Sequence, residues 1–161
     1  FAPEERLKGI RLDMAKYRRP SPETAPCHAK AAGLYMICTL SKHEAERKGY
    51  ADAMMLDWRG HVAEATGANM FFIEGNTLHT PTPDCFLDGI TRRTVIQLAR
   101  ERGLDIVERT ILPEELEGFS ECFITGTAAE VTPVSEIGPY HFTPGEISKN
   151  LMEDYTALVG A

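Results

Sequence analysis

The order of apolar and polar positions divides the chain into strands and helices in mixed succession. Residues 9–14 (GIRLDM) alternate as a half-buried strand does, after a short helical stretch at 3–8. Three prolines at 20, 22 and 26 make residues 18–27 a stiff loop. A helix is expected from there to about Lys48. It is small and apolar at first (Ala31, Ala32, Leu34, Met36, Ile37), charged from Lys42 onward, and stopped by Gly49. Residues 51–57 read as a largely buried strand, and 58–61 as a turn into Val62, Ala63 and Glu64. Asn69, Phe71 and Ile73 then alternate with Met70 and Phe72, Glu74-Gly75-Asn76-Thr77 has hairpin chemistry, and a return strand at 78–80 ends at Pro81.

After a loop at 81–85, Asp88 or Gly89 opens a helix that ends near Gly103. Its apolar positions Ile90, Val95, Leu98 and Ala99 lie roughly on one face, and Asp88 is the candidate N-cap. Residues 104–111 alternate as a strand, Pro113 starts a short helix, and 121–125 form a buried strand. That strand runs into Gly126-Thr127-Ala128-Ala129, small residues that permit close backbone approach to a ligand, and residues 131–134 lead away. A closing amphipathic helix from Pro144 turns Ile147, Leu151, Met152, Tyr155 and Leu158 inward. The hairpin-joined strands make the sheet mixed rather than wholly parallel, so the expectation is a single α/β or α+β domain.

The length of 161 residues suits one domain, with enough chain to bury a core without staples. A net charge of -7 argues against nucleic acid or an anionic membrane surface as the main partner. No apolar run reaches the roughly 20 residues of a membrane span, and no signal-peptide layout is present at Phe1. The start without methionine raises the expectation of a trimmed or incomplete version of something longer. Cys27, Cys38, Cys85 and Cys122 have no metal-type spacing, which fits reduced thiols in a cytosol and no disulfide. The five histidines show no ligand spacing either, so no metal site is expected.

Three features could carry chemistry. Lys30 sits in HAKAAGLYMI among small apolar neighbours, where desolvation lowers an amine's pKa and makes it a better nucleophile toward an aldehyde. A solvated surface lysine is the ordinary alternative. Glu64 lies between two alanines in a strand that otherwise reads as buried, so its charge calls for a cationic partner unless that face is open. The helix opening at Gly89 offers free N–H groups and the Thr91 hydroxyl to an anion, although an ordinary helix start explains those residues equally simply. Tyr35 reads as a core aromatic of its helix.

Together these residues resemble the class IV aminotransferases, the pyridoxal-phosphate enzymes of fold type IV, and among them the branched-chain amino-acid aminotransferases. The family pattern of Glu, Asn-apolar-aromatic, Thr and Gly-Ile-Thr-Arg is met by Glu64, Asn69-Met70-Phe71, Thr80 and Gly89-Ile90-Thr91-Arg92. The block GTAAEVTPV at 126–134 is similar to the branched-chain branch in particular. The resemblance spans nearly the whole chain and implies a mixed sheet partly closed into a barrel with surrounding helices, the large C-terminal cofactor domain of that fold. The family's small N-terminal domain is expected to be absent from residues 1–161, with weak cofactor retention and little turnover as the result.

Position by position, the resemblance makes Lys30 the lysine that holds pyridoxal 5'-phosphate as a Schiff base and moves the Cα proton. Tyr35 would contact the cofactor's phenolic oxygen, Glu64 would keep the pyridine nitrogen protonated, and Leu87 would pack beneath the ring. Ile90 and Thr91 at the helix start and Thr127 would hold the phosphate, Gly89 and Gly126 would belong to the same cofactor site, and the turn at Thr127 and Ala128 would offer N–H groups to the substrate carboxylate. Asp88, a carboxylate beside that phosphate, must then face away, as an N-cap can. The implied reaction exchanges the amino group of a branched-chain L-amino acid with 2-oxoglutarate in a cytoplasmic homodimer or higher homo-oligomer. A D-amino-acid aminotransferase, an R-selective amine transaminase or an aminodeoxychorismate lyase could share Lys30 and Glu64. A non-catalytic interaction module on the same fold is the alternative of a different class.

Overall fold

The computed structural model describes residues 3–26 and 32–160. Lys30 and Cys27 lie outside the described residues. The chain runs through α1 (Pro3–Arg6), β1 (Ile10–Met14), α2 (Ala32–Arg47), β2 (Asp52–Leu56), β3 (Val62–Ala65) and β4 (Ala68–Glu74). It continues through β5 (Thr77–Pro81), α3 (Ile90–Glu101), β6 (Asp105–Arg109), a 3-10 turn (Pro113–Gly118), β7 (Glu121–Gly126), β8 (Glu130–Ile137), β9 (Tyr140–His141) and α4 (Glu146–Val159).

Six of these strands close on themselves. β1 pairs in parallel with β2 and with β8, while β2–β3, β3–β4, β4–β7 and β7–β8 are antiparallel, so the ring runs β1-β2-β3-β4-β7-β8 and back to β1. β5 continues the sheet outward from β4, β6 pairs in parallel with β5, and β9 pairs with β8. The mixed sheet is as expected.

Closure explains a departure from simple alternation: positions 68–73 of β4 are all buried. Alternate side chains leave opposite faces of a strand, and here both faces are covered. Met70 and Phe72 meet Leu12, Met54, Cys122, Ile124 and Val134 inside the ring. Phe71 and Ile73 face outward and pack with Phe123 and Val131 beneath Val95, Ile96 and Ala99 of α3 and Leu151 and Met152 of α4. The Phe71 and Phe123 rings stack at 4.9 Å, and Phe72 stacks on Phe119 at 5.2 Å. Each fully buried phenylalanine stabilises the fold by roughly 1.5–3 kcal/mol through the apolar area it removes from water.

The helices are held at defined ends. Glu121 accepts hydrogen bonds from the N–H groups of Gly145 (2.9 Å) and Ser148 (3.0 Å), which satisfies donors at the start of α4. An Arg102–Asp154 ion pair ties α3 to α4. Three inward assignments fail for local reasons. Leu158 is 53% exposed because the last turn of α4 is exposed throughout, and Ile90 is 76% exposed because it sits on the first turn of α3, ahead of the buried Val95 and Ala99. Tyr35 is not a core aromatic: it is 51% exposed on α2 and lines a cleft. Cys38, Cys85 and Cys122 are free thiols, and among the described residues no helix is long and apolar enough to cross a membrane.

Candidate active site

Pairing register fixes the outer wall of the ring at one level. Met55 lies opposite Glu64, Glu64 opposite Asn69, Asn69 opposite Thr125, and Thr125 opposite Val131. Side chains at paired positions share a face, so an acid, an amide and a hydroxyl stand side by side across β3, β4 and β7. Over this row opens a cleft of about 520 Å³. Glu64, Tyr35, Leu87, Gly89, Ile90 and Thr91 line it, and so do Gly126, Thr127 and Ala128. Every described residue that the sequence assigns to the cofactor or substrate therefore borders one cavity, while Lys30 lies outside the described residues.

Glu64 is 12% exposed, and its carboxylate meets the guanidinium of Arg19 at 3.0 Å. Burial pushes the Glu64 carboxyl up to about 7; Arg19 pulls it down and Asp52 adds to the rise. Arg19, 4% exposed, is gripped on several sides. Its backbone N–H donates to the Leu56 carbonyl at 2.8 Å, and its guanidinium donates twice to the carbonyl of Cys85, at 3.3 and 3.2 Å. The cation that Glu64 calls for thus comes from the chain itself. Sequence reading missed Arg19, which stands in a proline-rich loop beside the equally charged Arg18; the signal available was only that a buried acid needs a partner.

The opposite wall is the start of α3. Its N-cap is Gly89, and among the described residues no side chain caps it, so the amides of the first turn have no intrahelical acceptor; Ile90 and Thr91 of that turn border the cleft. Asp88 is not the N-cap. Its carboxylate turns to Arg92, 2.9 Å away, and Arg92, buried to 1% exposure, also holds Glu108 at 2.8 Å. The Asp88 carboxylate is engaged by an ion pair rather than in capping, while the residue itself borders the cleft. Thr91 is nearly buried, its hydroxyl 3.5 Å from that of Tyr155.

The third wall is the turn from β7 to β8. A Cβ on Gly126 would stand 2.9 Å from the carbonyl oxygen of Gly67, so only glycine lets this turn pack against the tip of the β3–β4 hairpin. Thr125, next to it, is fully buried, and its hydroxyl has no hydrogen-bond partner among the described residues. Away from the cleft, Asp57, Asp84 and Cys85 come close enough together to suggest metal ligands. Arg59 fills that position, bonding Asp57 at 2.7 Å and Asp84 at 3.0 Å, and burial pushes the Cys85 thiol up to about 12.

A buried acid facing an uncapped helix start is a scaffold for a ring with a cationic nitrogen at one end and an anionic group at the other. Residues 1–137 match the family model described as amino-transferase class IV, and the chain belongs to that family. It is 39% identical over 156 residues to the probable branched-chain-amino-acid aminotransferase of Rickettsia felis, covering 94% of this chain and 54% of the relative. The structure is similar to the branched-chain aminotransferase of Thermoproteus uzoniensis solved with norvaline, with a TM-score of 0.91, 37% identity and coverage of 95% and 52%. It is similar also to a T.th. branched-chain amino acid aminotransferase complexed with N-(5'-phosphopyridoxyl)-L-glutamate, with a TM-score of 0.92, 35% identity and coverage of 97% and 54%. The chain spans about half the length of the curated relatives it matches.

Proposed function

We propose that the protein uses pyridoxal 5'-phosphate to pass the amino group of branched-chain L-amino acids to 2-oxoglutarate, with residues 1–161 acting as the cofactor-binding unit of a cytoplasmic homo-oligomer. The observation behind this reading is the cleft itself, with the Arg19-paired Glu64 on one wall and the uncapped start of α3 on another. The residues suit the cofactor: an acid for its ring nitrogen, amides and hydroxyls for its phosphate, and, on the floor, a buried Thr125 hydroxyl without a partner among the described residues. The relative solved with a phosphopyridoxyl group joined to glutamate supports both the cofactor and an acidic second substrate.

When bound, the cofactor supplies an aldehyde for the amine and a protonated ring that draws electrons from the substrate Cα. Glu64 would hold the proton at the ring nitrogen, the ring's charge adding to the pull of Arg19 toward the carboxylate form. The N–H groups of Ile90 and Thr91, with the hydroxyls of Thr91 and Thr127, would hold the phosphate. Tyr35 would offer its hydroxyl to the phenolic oxygen, and Leu87 would pack against the ring. The turn at Thr127 and Ala128 would receive the substrate carboxylate. Lys30 is assigned from its place in the sequence as the amine that moves the proton from the substrate Cα.

The test is uptake and transfer by the full-length protein. With pyridoxal phosphate, a visible absorption band that borohydride bleaches should form, and Lys30→Ala should lack it. L-leucine should then pass its amino group to 2-oxoglutarate, leaving as the 2-oxo acid. Turnover of D-alanine or aminodeoxychorismate in place of L-leucine would overturn the substrate assignment, and no cofactor uptake would overturn the whole reading.

A further inference from the structure

Asn69 is nearly buried, 6% exposed, and stands between Glu64 and Thr125 on the outer wall. Its side chain spends both of its polar ends on one short piece of backbone. The Nδ2 group donates to the carbonyl of Leu87 at 2.9 Å, and Oδ1 accepts the N–H of Gly89 at 3.3 Å. These two backbone groups flank Asp88 and lead directly into α3. Gly89 fits the arrangement because a Cβ there would lie 2.8 Å from Asn69 Oδ1. The amide is therefore a two-pronged brace between the strand next to the Glu64 strand and the loop that carries Leu87 and the helix start.

We propose that Asn69 is a positioning residue for the cofactor phosphate: it sets the distance between the Glu64 wall and the N-terminal turn of α3. The inference rests on the pyridoxal-phosphate reading above. A ring held at its nitrogen by Glu64 and at its phosphate by α3 needs those two walls at a fixed separation, and β3–β4 pairing with the Asn69 brace is a direct hydrogen-bonded path between them. Without the brace, the Leu87 carbonyl and the Gly89 N–H lose their partners, and the first turn of α3 is free to shift from the ring's far end.

The experiment compares wild type with Asn69→Ala and Asn69→Asp in the full-length protein, titrated with pyridoxal phosphate and, separately, with pyridoxal, which has no phosphate. Amide hydrogen exchange of residues 89–91 is followed in the same samples. Asn69→Ala should weaken pyridoxal phosphate binding roughly tenfold, leave pyridoxal affinity within about twofold, and speed exchange at 89–91 without speeding it in β4. Asn69→Asp is nearly isosteric and guards against a folding defect; it keeps the acceptor for Gly89, loses the donor for Leu87, and should discriminate against the phosphate more strongly than alanine. Equal loss for the two aldehydes, or unchanged exchange at 89–91, would overturn the proposal. Wild type that takes up neither aldehyde would defeat the cofactor reading separately, and the phosphate role of Asn69 with it, even where exchange at 89–91 still depends on the brace.

Discussion

Replacing Glu64 by glutamine isolates the energetic cost of keeping this acid in the wall. The Glu64 carboxyl is raised from its ordinary 4.5 to about 7, first by burial, with Arg19 opposing and Asp52 adding to it. A raised acid holds its proton more tightly in the fold than in the unfolded chain. Its contribution to stability is full below about 4.5 and is lost as pH climbs through about 7. That interval, at about 1.4 kcal/mol for each pH unit, amounts to roughly 3 kcal/mol. Glutamine has the shape of the protonated acid, can still accept from Arg19, and does not titrate. Urea unfolding of both proteins without cofactor, at a series of pH values, should therefore show wild type losing roughly 3 kcal/mol relative to Glu64→Gln between about pH 4.5 and about pH 8. Groups remote from Glu64 titrate alike in the two proteins and cancel, and the Cys38 thiol, raised by burial and by Glu64, stays protonated across this range. Saturating pyridoxal phosphate should reverse the order at about pH 8, because a cationic ring nitrogen favours the carboxylate. Parallel pH curves without cofactor, or a wild type that gains on the variant as pH rises, would show that the Arg19 pair outweighs desolvation and would refute the reasoning.

Arg19→Met should destabilise the protein by about 3–5 kcal/mol at neutral pH, read from chemical denaturation, since Glu64 loses its charge partner and the Cys85 carbonyl its donors. Arg92→Met strips Asp88 of its buried partner beside α3 and should weaken pyridoxal phosphate binding by roughly tenfold; adding Asp88→Asn to the same chain should restore most of it, as a titration of the double variant would show. Phe72→Ala removes a ring at 0% exposure stacked on Phe119 and should cost about 3–5 kcal/mol in the same denaturation assay, with the outward-facing Phe71 untouched. Cys38 borders the cleft with a thiol raised by burial and by Glu64, so it should react slowly with thiol reagents near neutral pH and more slowly still with cofactor bound, measured by mass spectrometry.

Local periodicity placed most of the elements, but not β9, and of β8 it singled out only 131–134, as a segment leading away from β7. The alternation of β1 and β6, the hairpin at 74–77 and the glycine stops at 49 and 103 are all contained within short stretches, and each of these lies where the pattern puts it. Ring closure is a different matter. It depends on β3 pairing on both sides and on β1 lying parallel between β2 and β8, contacts far apart in sequence that no local pattern encodes. The site divides in the same way. Glu64 was legible because an acid between alanines in a strand cannot remain unpaired, and Gly89 and Thr91 because a helix start exposes donors. Arg19 and the brace at Asn69 were not, since their meaning lies in partners at Glu64, Cys85, Leu87 and Gly89 that only the closed sheet brings near. Asp88 was expected as an N-cap turned from the phosphate site; it borders the cleft and is not the cap, because a buried Arg92 one helical turn on engages its carboxylate.

β3 has four residues, and it meets β4 at only two register positions, Glu64 with Asn69 and Ala65 with Ala68. The ring is therefore zipped shut along its shortest seam, and the tooth of that zipper is the acid itself. The fewest cross-strand partners of the ring thus lie beside the cleft, so a molecule lodged between Glu64 and α3 would act as a bolt across the seam and stiffen the six strands along with the pocket.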